Sequence, residues 1–287
     1  MTLIPGSSNL REDAVQLATF LVDARGLGLD ELRRAILLQR AQELRFSEAV
    51  LQLGLASQAD IDSARRFGHE QPQPAAGQMS PALQPYLDAG NRQSQRISAL
   101  RAELMLRVGP GEGVRLAVVS PSAGDGRSQL AAALAIACAR LEQPTLLIDA
   151  DLLNPVQHRL FGLGDGPGLA QALQGDTLPR PQTVQGLPQL AVLGAGSRVE
   201  NPLELLSGRL FSDLIISFSS QYRHIILDTS AGESGFDGVT AAIAVGSALL
   251  LAHRDHTPLD ASQQLLTRLR GSRARLMGGV LNVFDRR

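Results

Sequence analysis

The period of the apolar positions changes partway along the chain. Up to about residue 71 they recur every three to four residues. Leu10, Ala14, Leu17 and Leu21 follow a helical period, as do Leu32, Ala35, Ile36 and Gln39 with their neighbours. The stretch FLVDARGLGLDELRRAILLQ (20–39) is loosely echoed by AVLQLGLASQADIDSARRFG (49–68), with Leu21/Val50, Gly26/Gly54 and Ala35/Ala64 in similar places. Each unit reads helix, Gly-Leu turn, helix. Neither can bury its apolar face alone, so pairing the two predicts a compact bundle. The proline- and glutamine-rich run EQPQPAAGQMSP (70–81) makes a poor core and a good linker. These signals divide the chain into a helical repeat domain (1–71), a linker with a docking segment (72–93) and a larger domain (94–287).

In the larger domain the pattern alternates. An amphipathic helix (94–107) carries Ile97, Leu100 and Leu104 on one face and is stopped by GPGEG. Continuously apolar strands are then expected at 114–120, 144–151, 190–196, 224–231, 248–253 and 274–284. Helices fall between them at 128–142, 168–173, 201–222 and 258–270, the third with Asn201 as N-cap and Pro202 at its first position. Buried strands separated by helices predict an α/β fold with a mostly parallel sheet covered on both faces.

Composition narrows the function classes. The 287 residues carry 27 basic and 28 acidic side chains, a net charge of -1, so no global field favours nucleic acid or an anionic membrane. All the basic residues are arginine; lysine is absent. The single cysteine, Cys138, lies in an apolar helical run and reads as a buried small side chain, not a thiol catalyst. No secretory leader or membrane-spanning stretch is visible, so the reading is cytoplasmic.

The strongest chemical signal is VVSPSAGDGRSQLAAALA, a buried strand running through Gly124-Asp125-Gly126-Arg127-Ser128 into a helix. Glycines let backbone amides wrap a phosphate chain, and the helix N-terminus adds to the attraction. The expected phosphate loop, GxxxxGK[ST], is altered: Pro121 replaces the first glycine and Arg127 the lysine. Arg127 still supplies a permanent charge, although a guanidinium is wider than an ammonium. Two further strands end in acids. LLIDADL places Asp149 and Asp151 on the same side, and IILDTS ends in Asp228. Three acids at strand ends beside one phosphate loop make a coherent phosphoryl-transfer site for ATP or ADP with Mg²⁺.

With these motifs the sequence resembles the bacterial tyrosine kinases of exopolysaccharide synthesis, in particular the soluble form associated with chain-length determination. That family groups with MinD- and ParA-like deviant Walker ATPases, which have the P-loop NTPase fold. SPSAGDGRSQLAAALA stands at its Walker A motif, TLLIDADLLNPVQHRLFGL at Walker A′, HIILDTSA at Walker B, NPLELLSG at a helix-start signature and GGVLN at its final strand. The resemblance implies that Ala123, Gly124, Asp125, Gly126, Arg127, Ser128 and Gln129 hold the nucleotide, with Asn282 near the adenine. It implies catalytic roles for Arg127, Asp149, Asp151 and Asp228, and a metal set of Ser128, Asp149, Asp151 and Asp228. Expected partners are the cytoplasmic segment of a membrane chain-length protein, which would recruit the chain to the inner membrane, and further copies in a dimer or ring.

The sequence also departs from the family. The tyrosine-rich tail phosphorylated in trans is not expected, because the chain ends directly after its last strand and contains only Tyr86 and Tyr222. Tyr222 reads as packed and Tyr86 as the better candidate for exposure. In the ring-forming helix segment, Gln95 and Ser98 replace a Glu and an Arg, and only Arg101 is kept. The N-terminal repeat resembles the N-terminal domain of type II secretion and pilus-assembly ATPases. There, an Arg-Leu-Gly start binds cyclic di-GMP in some members; here Arg45-Phe46-Ser47 and Leu17 argue against that ligand. Two functions stay open: a kinase-like enzyme of chain-length control, and a non-kinase ATPase or nucleotide-gated scaffold of the same machinery. A MinD-like membrane-positioning ATPase fits less well, lacking the signature lysine and a terminal amphipathic helix.

Overall fold

The computed structural model describes residues 17, 21, 27–42, 44–61, 77–109, 111–164, 166–175 and 180–283. Leu10, Ala14, Gly26, Ala64 and Phe284 lie outside the described residues, as does most of the proline-rich linker. The chain divides into two compact units, Met1–Pro72 and Gln73–Arg287.

In the first unit, α1 (Leu29–Gln42) and α2 (Phe46–Gln52) pack around a small core of Leu17, Leu21, Leu32, Ala35, Phe46, Val50 and Ile61. Leu21 and Val50, equivalent in the repeat, are both fully buried. Gly54 takes φ +67° at the Gly-Leu turn, a conformation glycine adopts without strain. Arg45 precedes α2, and its backbone amide donates to Glu48 Oε2 at 2.7 Å, closing the helix start.

The second unit begins with a 3₁₀ turn at Pro81–Leu83 and a short α3 (Gln84–Leu87), in which Leu83 is fully buried against the larger core. Then come α4 (Arg92–Arg107), β1 (Arg115–Val119), α5 (Arg127–Ala139), β2 (Thr145–Asp149), α6 (Gln157–Phe161), α7 (Leu169–Gln174), β3 (Gln182–Val184) and β4 (Leu187–Leu193). The chain continues through α8 (Pro202–Ser207), α9 (Arg209–Gln221), β5 (His224–Asp228), α10 (Asp237–Val245), β6 (Ser247–His253), α11 (Leu259–Arg270) and β7 (Arg275–Asn282). Among the described residues these strands form one sheet in the order β3-β4-β2-β5-β1-β6-β7, parallel except for the β3–β4 pair.

Strand pleating sorts the core into two layers. Ala117, Val119, Leu146 and Ile148 face the helices that bring Phe211, Ile215 and Leu265. Leu116, Val118 and Leu147 face Leu83, Leu104 and α5. Helix α5 is buried all round, from Leu130 to Ala139, and its alanines allow close approach to the sheet. Cys138 is fully buried there, and burial pushes its thiol up to about 12, so it stays a protonated packing group.

Several features differ from the sequence-based expectation, among them α10, a helix of 9 residues that the expected set lacked. The helix expected over 201–222 is two, because Gly208 is extended (φ −65°, ψ 150°) and separates α8 from α9. Asn201 bonds the Glu204 side chain at 3.0 Å and does not cap the backbone. The short α6 and the antiparallel edge strand β3 had no apolar period long enough to announce them.

Candidate active site

The parallel strands deliver their C-terminal ends to one side of the sheet, where ligands of open α/β folds bind. Between β1 and α5 the loop turns through Gly124 (φ +82°) and Gly126 (φ +95°). A side chain at either position would be strained. The first amides of α5, beginning at Arg127, have no intrahelical partner and form a natural phosphate cradle.

The loop is braced from outside. Buried Asp125 accepts the Ser122 amide at 3.0 Å on Oδ2 and the Thr257 hydroxyl at 2.5 Å on Oδ1. Asn282 Nδ2 donates to the Asp125 carbonyl at 2.9 Å. The Ala123 amide donates to Glu233 at 2.9 Å, and its carbonyl lies 3.1 Å from His256 Nε2. The side chain of Gln129 turns away, towards the Ala82 carbonyl. The structure thus gives Ala123, Asp125 and Asn282 bracing contacts, while Gly124, Gly126 and Ser128 lie along the cradle itself.

Arg127 is buried and points inward. It donates to the Thr229 carbonyl and to Ser120 Oγ (2.6 Å), and pairs with Asp151 at 3.6 Å. Asp151 Oδ1 also accepts the Leu153 and Asn154 amides. Asp149 and Asp228 stand opposite each other in the β2–β5 register, both fully buried. Asp149 accepts the Asp151 amide on Oδ1, and the Val156 and Gln157 amides on Oδ2 at 3.0 and 2.9 Å, capping α6. Burial, then the neighbouring Asp228 charge, hold its carboxyl well above the ordinary range despite those amides. Burial likewise pushes Asp228 up to about 6, opposed by the Arg127 charge, by the Gln157 hydrogen bond and by the nearby Ser128 hydroxyl.

The expected metal set is only partly assembled. Among the described residues no three His, Cys, Asp or Glu side chains converge as a ready ligand cage. Mg²⁺ at phosphoryl-transfer sites needs no cage, since one or two protein groups, water and the substrate phosphates complete its shell. The residues that fit that role are Ser128, at the loop's end, and Asp228, whose Oδ1 is buried without any hydrogen-bond partner. Asp149 and Asp151 have their oxygens committed to backbone amides and Arg127. Gln157, which sequence reasoning passed over, is fully buried among these acids. Beside α6 lies a cavity of about 620 Å³ lined by residues including Pro155, His158, Gln182 and Ser197.

Other expectations can be placed as well. Tyr222 is packed edge-on against Phe218, and burial raises its hydroxyl to about 12. Tyr86 is half-buried, not exposed, and leans on the same core as α5. Arg101 donates to the Ala137 carbonyl at 2.6 Å, so its guanidinium is engaged within the fold.

Comparison with known proteins agrees with this geometry. No family model matches the chain. The tyrosine-protein kinase ptk of Acinetobacter johnsonii is 27% identical over 196 residues, covering 67% of this chain and 26% of that protein. The putative tyrosine-protein kinase CapB of Staphylococcus aureus is 26% identical, covering 66% of this chain and 83% of that one. The chain thus spans about a quarter of the length of several curated relatives it matches. Among solved structures, the kinase domain of Escherichia coli tyrosine kinase ETK superposes with a TM-score of 0.67 at 24% identity, over 73% of this chain and 83% of that chain. The septum site-determining protein MinD of Pyrococcus horikoshii, complexed with Mg-ADP, gives 0.51 at 21% identity, over 58% and 69%. The fold is therefore that of P-loop NTPases, and the relatives are the bacterial tyrosine kinases that the sequence motifs resemble.

Proposed function

We propose that the unit Gln73–Arg287 binds Mg-ATP and transfers its terminal phosphoryl group, as a kinase-like regulator of exopolysaccharide chain length and export. The observation that carries this reading is the meeting of Ser128, Asp149 and Asp228 below a glycine loop, with one Asp228 oxygen buried and unpartnered. The Gly124–Ser128 amides would cradle the phosphates. Bound Mg²⁺ would offset the charge that spreads over the transferred group. Ser128 and Asp228 would hold the cation. Asp149, whose proton affinity is raised, would accept a proton from the attacking hydroxyl. Partner and assembly follow from the resemblance: the cytoplasmic segment of a membrane chain-length protein, and further copies of this chain. Among the described residues no helix is long and apolar enough to cross a membrane.

One observation favours the second reading, a nucleotide-gated scaffold that turns over slowly. The Arg127 guanidinium is already engaged within the fold by Asp151, the Thr229 carbonyl and the Ser120 hydroxyl. Turnover of γ-labelled ATP, for wild type and Asp149→Ala/Asp151→Ala, with and without the partner segment, decides between them. Mg²⁺-dependent label on protein tyrosine, lost in the variant, supports the kinase. Tight ATP binding with neither labelling nor phosphate release leaves the scaffold. Absence of nucleotide binding overturns both.

A further inference from the structure

Gln157 bonds all three parts of the site, two through its side chain and one through its backbone amide. Its Nε2 donates to Asp228 Oδ2 at 2.7 Å and to the Ser128 carbonyl at 3.0 Å, while its backbone amide donates to Asp149 at 2.9 Å. The amide orientation is fixed by these partners: both are acceptors, so the nitrogen must face them. Its Oε1 is then left buried with no donor, and Asp228 Oδ1 is in the same condition. Buried acceptors are nearly always satisfied, because losing water without gaining a donor is costly. Two such oxygens on directly bonded neighbours, beside the helix start where Ser128 lies, call for an electropositive group. A lone structural glutamine would leave neither oxygen bare.

We propose that Gln157 is a positioning residue for the divalent cation: its amide nitrogen turns Asp228 so that Oδ1 is presented, and its Oε1 is a neutral acceptor for the hydrated cation. The inference rests on the Mg-nucleotide reading of the site. Ser128, Asp149 and Asp228 belong to the three motifs; Gln157 is what fixes them relative to one another. A carboxylate buried beside another acid has more than one available orientation, and a double donor selects one. The neutral amide does this without adding a further negative charge between Asp149 and Asp228.

The test uses the full chain with ADP and Mn²⁺ followed by electron paramagnetic resonance, alongside ADP binding in EDTA and melting with and without Mg²⁺. For Gln157→Leu, which keeps the bulk and removes donor and acceptor, Mn²⁺ affinity in the presence of ADP is expected to fall at least tenfold. Metal-free ADP binding should stay within about twofold of wild type, a split that loss of structure alone would not give. Gln157→Glu places a third carboxylate against Asp228, so Mg²⁺ is expected to raise its melting temperature more than it raises that of wild type. Unchanged Mn²⁺ affinity in Gln157→Leu, or a Gln157→Glu protein that gains no more from Mg²⁺ than wild type, overturns the proposal. So does failure of both variants to fold with Mg²⁺ present, which would make Gln157 purely structural. A wild-type chain that binds neither ADP nor Mn²⁺ removes the nucleotide reading and this inference together.

Discussion

Asp228 sits where a neutral side chain would be held at lower cost. Its carboxyl is pushed up to about 6 by burial, against an unfolded value near 3.8, so keeping it ionised at pH 7.5 costs about 3 kcal/mol of stability. Asp228→Asn retains an acceptor for Gln157 and removes that charge. It is expected to melt higher than wild type while losing Mg²⁺-dependent turnover, and a calorimetric scan beside an ATPase assay checks both. Arg127 presents the opposite case. Its guanidinium is the buried counter-charge of Asp151, and Arg127→Met would strand that carboxylate at a cost of about 3 kcal/mol, read as a lowered urea midpoint. The two substitutions should therefore move stability in opposite directions.

The elements that position these residues differed in how readable they were. β1, β2 and β5 showed themselves as apolar runs ending in Ser120, Asp149 and Asp228, since strands buried on both faces need no alternation. Helix α5 was equally visible, and the glycines before it gave the loop. What the sequence hid depends on contacts between distant segments. Asp125 looked like a nucleotide-binding position, yet its carboxylate braces the loop against Thr257, 132 residues away. Gln157 sits in a helix of five residues, too short for periodicity to announce. The break at Gly208 was hidden too, because an apolar pattern can run on through a residue whose ψ does not. The brace makes a prediction of its own. Asp125→Ala frees the Ser122 amide and the Thr257 hydroxyl, so nucleotide affinity should fall about tenfold. Hydrogen exchange at Ser122 should also quicken, with the strand core unchanged.

The molecule as a whole carries two opposed responses to acid. His224 lies fully buried at the foot of β5, its Nδ1 accepting the Val114 amide at 2.9 Å and its Nε2 facing Gln143 Oε1 at 2.6 Å. With Nδ1 an acceptor, the proton rests on Nε2 and the ring is neutral. Burial first, then Arg223 and other arginines, lower its pKa to about 4. The unfolded chain therefore takes up a proton near pH 6.5 that the native ring refuses, and stability falls as pH drops from 6.5 towards 4. Asp149 and Asp228, with raised values, act in the other sense and favour the folded state as pH falls through the same range. His224→Gln should remove the first slope alone, so its melting temperature is expected to rise relative to that of wild type as pH is lowered from 7 to 5. The braced phosphate loop has its own thermodynamic consequence. With Asp125, Thr257, Asn282 and Glu233 already holding it, its conformational freedom is surrendered when the chain folds, not when ligand arrives. Nucleotide capture should then behave as docking into a rigid mould, with a small entropic penalty in titration calorimetry and an association rate set by diffusional encounter.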